Sequence, residues 1–417
     1  MDKGLEKQYR ERKRRIADAI SLKIPDRVPT EIGFDYFPAK YAGLPFEVAF
    51  YDYDKWLAAY KETVIYLQPD ALFYQGSYTP GLALELLDPK PFRWPGHGVG
   101  PDSSHQFIEG EWMKADEYDA FLGDHADFLL RRHLPRVIGA MAPLEKLPDF
   151  MGLGYGHFAG MALAEALAQP EIADAIETVI KAGREMARWR TKMNDFKQEI
   201  TDVGCPVNFA GMVQAPFDAV SDFLRGMQGA MLDMFRQPDK LIQATEKILS
   251  RTLKTISDFP PPTEEDNRIF IPLHRGSDGF MSLKQFEKFY WPGLKSVVLA
   301  LVDAGYVPGI FFEGNWTARL EYLLELPKGR VLGHFDSTDI YKAKEILGGH
   351  MCIRGNVPSS LLETGTTDDV KGYCKTLIDV VGKDGGLIVC PRSSMDAAKP
   401  ENLKAMIDFT REYGVYN

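Results

Sequence analysis

From Arg268 to the C-terminus the chain alternates two hydrophobic rhythms. Short, nearly continuous apolar runs occur at 268–274 (RIFIPLH), 308–313, 330–335, 350–354 and 386–390. Each is followed by a stretch whose apolar positions recur every three or four residues. A continuous run suits a strand covered on both faces, as in a parallel sheet. The three-and-four spacing suits a helix with one buried stripe. The helix at 282–305 shows this with Phe286, Phe289, Tyr290, Leu294, Val297, Val298 and Leu301. Ser282 can cap its start, Gly305 stands where a C′ glycine belongs, and Pro292 demands a break within it. Helices are expected at 316–326, 339–347, 367–382 and 400–413. The first half is less regular. A helix at 5–22 stops before Pro25. Strands are expected at 27–34 and 71–76, and Asp54 can cap a helix running to Leu67. Residues 85–115 read as a long Pro- and Gly-rich loop, and 116–137 as a helix. The apolar, Gly-rich stretch 150–163 is no dinucleotide fingerprint and reads as a close backbone approach or a mobile loop. A long helix covers 171–199, a strand lies within 207–218, and Pro216 and Pro238 each open a helix. The alternation predicts an α/β fold, a (β/α)8 TIM-type barrel with an N-terminal helical extension. It is read as one domain over 1–417, with the extension and first strand in 1–70 and the clearest βα repeats in 205–417.

Composition narrows the classes. The 417 residues carry a formal charge of −10, with 45% hydrophobic and 26% charged side chains. An acidic total argues against binding a phosphate backbone, so the basic cluster Arg10–Arg15 reads as a solvated helix face. Four scattered cysteines without a CxxC suit a reducing compartment, and neither a leader-like nor a membrane-spanning apolar run occurs; a cytoplasmic protein with no nucleic-acid or membrane partner is expected.

In parallel α/β folds chemistry gathers at the C-terminal ends of the strands. The polar residues there are His274, Arg275 and Asp278; Glu313 and Asn315; His334, Asp336 and Asp339; Arg354 and Asn356; and Arg392, Ser393 and Ser394. A carboxylate such as Glu313 at the end of an apolar run is costly if buried alone. His274, Glu313 and His334 form a candidate set for zinc or another divalent metal with an open position. Otherwise both are satisfied rim histidines and Glu313 pairs with Arg275 or Arg354. Arg354 and Arg392 can clamp an anionic group, or pair internally with Glu313, Asp336 or Asp339. Cys390 reads as a small buried hydrophobe.

Four segments, PDRVPTEIGFD (25–35), PFDAVSDFLRGMQGAMLDMFRQPDKL (216–241), MSLKQFEKFYWPGLK (281–295) and GGLIVCPRSSMDAAKPENLKAMIDFTREYG (385–414), resemble the uroporphyrinogen decarboxylase superfamily. That superfamily includes the decarboxylase and cobalamin-linked methyltransferases, and the resemblance implies a TIM-type barrel. Where the decarboxylase has an arginine-rich MRQAGRY-like segment, TEIGFDYFPAKYAG (30–43) has no arginine. The methyltransferases carry a zinc signature HxCGN and a later PGCG-like loop. Here IFFEGN (310–315) places Phe311 at the His and Glu313 at the Cys, keeps Gly314 and Asn315, and Ser393 of PRSS (391–394) stands at the second Cys. The resemblance therefore implies a methyltransferase moving a methyl group between a small donor, such as a methoxylated compound, and a corrinoid (cobalamin) on a partner protein. Glu313, His334 and Asp336 would be catalytic, with Asp336 orienting His334. His274, Glu313 and His334 would hold a metal. Arg392, Asn315, Arg354 and Ser393 would bind substrate. A carboxy-lyase and a non-catalytic tetrapyrrole- or corrinoid-binding protein stand as alternatives, and a homodimer as one possible assembly.

Overall fold

The computed structural model describes residues 2–74, 78–264 and 267–416. Gln75 and Gly76, the end of the strand expected at 71–76, lie outside them. The protein has an α/β fold of helices and parallel sheet. Among the described residues, eight short parallel strands form its frame: β1 (Glu31–Ile32), β2 (Ala71–Leu72), β3 (Gly211–Met212), β4 (Arg268–Leu273), β5 (Val307–Phe312), β6 (Leu332–Phe335), β7 (Cys352–Arg354) and β8 (Leu387–Ile388). Strands β3 to β8 make one six-stranded sheet in sequence order, and β1 pairs with β2. Single parallel bridges join Thr30 to Val389 and Leu72 to Val207. Around the first, Glu31 donates its N–H to Val389 and Val389 to Pro29; around the second, Leu72 donates to Pro206 and Asn208 to Leu72.

The apolar runs of β4 and β5 are buried because helices cover their outer faces. Ile271 pairs with Ile310 and Leu273 with Phe312 in register. The helix α1 (Trp291–Asp303) buries Leu294, Val297, Val298, Leu301 and Val302. Each such side chain contributes about 1.5–3 kcal/mol relative to exposure. The expected break at Pro292 takes the form of a π-helical segment, Phe286–Tyr290, with the proline opening α1. Ser282 and Gln285 form a capping box at the start of this run.

Four local expectations are corrected. Residues 316–326 form a 3-10 segment (Thr317–Glu325) and no α-helix there. The side chain of Asp52, two residues before Asp54, caps the helix Tyr53–Leu67 by accepting from the Lys55 N–H. The loop 85–115 carries a small three-stranded sheet, with Phe92–Pro95 between Gly98–Val99 and Gln106–Phe107. The helix expected at 116–137 is four short pieces, because Asp124 is extended and starts a new one. The stretch 150–163, expected as a close backbone approach or a mobile loop, is also corrected: a turn of 3-10 helix (Met151–Leu153) leads into the helix Gly156–Leu167, which buries only Ala166. No helix among the described residues is long and apolar enough to cross a membrane.

Candidate active site

Below the rim, the sheet interior is charged. Glu31 on β1 is fully buried and meets Arg268 of β4, and lies 3.1 Å from Arg354 of β7. Register places His334 directly beside Arg354. The Arg354 guanidinium donates to His334 Nδ1 at 3.0 Å and stacks on the Phe73 ring at 4.6 Å. His334 Nε2 faces the Pro391 carbonyl at 3.3 Å and Cys390 Sγ at 3.4 Å. A guanidinium donor at Nδ1 and a carbonyl acceptor at Nε2 fix a neutral imidazole protonated on Nε2. Burial, reinforced by the Arg354 charge, drives its pKa well below the ordinary value. Cys390 is buried as expected, and burial pushes its thiol up to about 11.

At the rim, β4 delivers His274 into a carboxylate group that the sequence reading missed. Asp222 Oδ2 lies 2.5 Å from His274 Nδ1. Asp218 is buried and accepts the backbone N–H groups of His274 (3.0 Å) and Arg275 (3.1 Å) and the Tyr290 hydroxyl (2.7 Å). Burial, then the neighbouring Asp222 charge, raises Asp218 to about 6. Burial alone would lower the His274 pKa, but the Asp222 hydrogen bond and the charges of Asp222, Asp218 and Glu313 carry it above the ordinary imidazole value. The outward nitrogen, Nε2, lies 3.8 Å from Glu313 Oε2. The visible signal for these partners was Asp218 and Asp222 four residues apart after Pro216, one helical turn on one face.

Strand β5 leads directly into Glu313, which is exposed at 53% and so escapes the full cost expected of a buried carboxylate. Its residual burial, helped by the Asp336 charge and opposed by His274, leaves its pKa raised. Gly314 takes φ +76°, where a side chain would be strained and would press on Ser277. The turn it makes aims its N–H at Asp336 Oδ2, 2.9 Å away. Asp336 also accepts from Arg392 Nε at 2.8 Å and from the Ser337 hydroxyl at 3.0 Å.

Four expected roles are not what the structure places. Asp336 holds Arg392, not His334, since His334 points into the sheet interior. Arg354 is an interior cation neutralised by Glu31 rather than a rim clamp. Asn315 accepts from the Thr317 N–H at 3.0 Å and hydroxyl at 2.6 Å, so its side chain starts the 3-10 segment. Ser393 is exposed with its hydroxyl 3.3 Å from that of Ser359. The expected metal set is also not assembled. His274 and Glu313 come together, but His334 is committed to Arg354 and Pro391. Among the described residues no group of three His, Cys, Asp or Glu side chains is placed to hold a metal ion. The residues as arranged do not fit zinc.

Among the described residues, the arginines Arg275, Arg319 and Arg392 are engaged. Arg275 meets Asp222 and Glu109, each at 3.0 Å. Arg319 binds Asp278 and Arg392 binds Asp336.

Residues 164–413, more than half of the chain, match the family model described as uroporphyrinogen decarboxylase (URO-D). A uroporphyrinogen decarboxylase of Syntrophotalea carbinolica is 27% identical over 131 residues, covering 31% of this chain and 37% of that protein. One from Chlorobium phaeovibrioides is 26% identical over 184 residues, covering 43% of this chain and 51% of that protein. The chain thus spans about half or less of the length of these curated relatives. Among solved structures, a methyltransferase from Methanosarcina mazei shares the fold with a TM-score of 0.59 at 16% identity, over 96% of this chain and 98% of that one.

Proposed function

This chain belongs to the uroporphyrinogen decarboxylase (URO-D) family, and from that premise we propose that it is a methyltransferase, moving a methyl group between a small donor and a corrinoid on a separate protein. We also infer that the eight parallel strands close into a (β/α)8 barrel, a reading supported by the bridges Thr30–Val389 and Leu72–Val207. One observation carries the functional reading. Arg275, Arg319, Arg354 and Arg392 are each tied to a carboxylate, while Asp218, Glu313, Asp35 and Asp396 have no Arg or Lys ion-pair partner within 4.0 Å among the described residues. A substrate with several carboxylates needs free cations, so carboxy-lyase activity on a porphyrinogen is disfavoured. The fold shared with the Methanosarcina mazei methyltransferase is compatible with the proposal.

The corrinoid on its partner would supply the centre that takes or gives the methyl group. The residues of this chain handle the other side of the exchange. Asp222 holds His274 by Nδ1, which leaves Nε2 as the nitrogen that presents a proton. Asp218 and Tyr290 fix the backbone from which that ring projects. A proton from Nε2 can be delivered to the heteroatom that loses its methyl group, which is general acid catalysis. Glu313, with its raised pKa and position beside Nε2, replenishes that proton.

The test incubates the purified chain with reduced cobalamin and a panel of methylated ammonium and methoxy compounds, following the cobalamin spectrum. A parallel incubation with uroporphyrinogen is read for less-carboxylated porphyrins. Spectral conversion without decarboxylation is the expected pair. Decarboxylated porphyrin would overturn the reading.

A further inference from the structure

The loop after β1 builds a second group on the same sheet end that the proton-handling side chains do not use. Tyr36 is buried between two parallel rings, Phe46 at 4.8 Å and Tyr78 at 4.6 Å. Its hydroxyl meets His105 Nδ1 at 2.7 Å, and its backbone N–H donates to Asp396 Oδ1 at 2.8 Å. The Ser104 hydroxyl donates to the other oxygen of Asp396 at 2.5 Å. Asp35 lies beside them and accepts from the Tyr74 hydroxyl at 2.6 Å. Among the described residues the groups that donate to these two carboxylates, the Tyr36 N–H and the Ser104 and Tyr74 hydroxyls, are neutral, and burial lowers the pKa of the nearby His105. Two carboxylates set close together without a cation are costly. Burial and the Asp396 charge accordingly push Asp35 up to about 6.

Beside this group opens a cleft of about 700 Å³ lined by Lys40, Leu44, Phe46, Asp102, Ser104 and Asp396. That volume is in the range of small-molecule sites. The Lys40 ammonium donates to the Ala397 carbonyl, 2.7 Å away, and keeps its charge. The wall therefore offers two carboxylates against one ammonium, a net negative charge, and a partly exposed phenylalanine ring, with Asp35 adding negative charge behind. An anion is repelled by that set. A hydrated metal ion would gain nothing from the ring. A methylated ammonium gains from both, because its diffuse charge is attracted by carboxylates and aromatic faces and its methyl groups by apolar contact.

We propose that this cleft binds a methylated organic cation, with Asp396 and Asp35 supplying the charge and Phe46 the aromatic face. As the identity of the methyl donor, the proposal rests on the methyl-transfer reading. As a binding site it stands alone.

The experiment titrates the full chain, without any corrinoid protein, with tetramethylammonium chloride and separately with sodium 4-methoxybenzoate at matched ionic strength, by calorimetry. Saturable binding of the cation and none of the anion is expected. Asp396→Asn keeps the shape and the Tyr36 contact, and should weaken binding about tenfold. Phe46→Leu, a second variant outside the carboxylate pair, should weaken it by several-fold. Absence of cation binding, equal binding of both probes, or unchanged affinity in folded Asp396→Asn and Phe46→Leu proteins would overturn the proposal. Such a failure leaves methyl transfer to be judged by the cobalamin assay, which uses other donors as well.

Discussion

Asp222→Asn isolates the interaction on which the proton-delivery argument depends. Asp222 Oδ2 and His274 Nδ1 are 2.5 Å apart, the geometry of a charge-assisted hydrogen bond. Asparagine keeps the size and one acceptor but removes the charge. Hydrogen bonds to charged groups contribute about 1.5–3 kcal/mol, and each ~1.4 kcal/mol in a barrier is a factor of ten in rate. A transfer step that uses protonated His274 should therefore slow by about 10- to 150-fold. The same change removes the Asp222 hydrogen bond and charge, leaving only Asp218 and Glu313 to hold the His274 pKa up against burial. A proton NMR titration of the His274 ring, assigned by its loss in His274→Gln, should give a lower midpoint in Asp222→Asn than in the parent. An unchanged midpoint, or full activity with an unchanged pH profile, would refute the pairing as a functional device.

Three further outcomes follow from the same geometry. Glu31→Gln leaves the buried guanidinium groups of Arg268 and Arg354 without their shared carboxylate. It should cost about 3–5 kcal/mol in urea denaturation, and a loss under 1 kcal/mol would contradict the ion-pair assignment. Asp218 and Asp35 both titrate near 6 when folded, above an unfolded carboxylate, so the folded chain binds more protons across that interval. Their contribution is complete below about pH 4 and is lost as pH rises through 6, so the denaturation midpoint should fall from pH 5 to pH 7.5, with a smaller fall in Asp218→Asn. Gly314→Ala forces a side chain into a positive-φ turn against Ser277. It should displace the N–H that Asp336 accepts, destabilise the chain by about 1 kcal/mol or more, and disturb Arg392.

The second half of the fold was legible because each strand is apolar throughout and each helix keeps one stripe. Those patterns follow from burial on two faces and on one face, which act locally. The 3-10 segment after Glu313 was not legible, because Asn315 and Thr338 hold its start by contacts to Thr317 and Trp316 rather than by an apolar period. The rim position of His274 and Glu313 could be read from successive strand ends. The direction of His334 could not. It lies one residue before the end of β6, and side chains alternate along a strand, so a single step sends it to the interior and to Arg354. Asp222 and Glu31 were missed as partners for another reason. Each comes from an element far away in the chain, and only the sheet order brings them to His274, Arg268 and Arg354. Glu31 itself read as an ordinary residue of the strand expected at 27–34, since one charge in a short strand gives no sign of a cation across the sheet.

The most direct measurement is the fate of a labelled methyl group. The chain, a deuterated methyl donor and reduced cobalamin are mixed, and the corrinoid is analysed by mass spectrometry. The account predicts deuterated methylcobalamin formed in step with loss of donor, with formation sharply slowed in His274→Gln. Unlabelled corrinoid throughout, alongside conversion of uroporphyrinogen to products with fewer carboxylates, would contradict it.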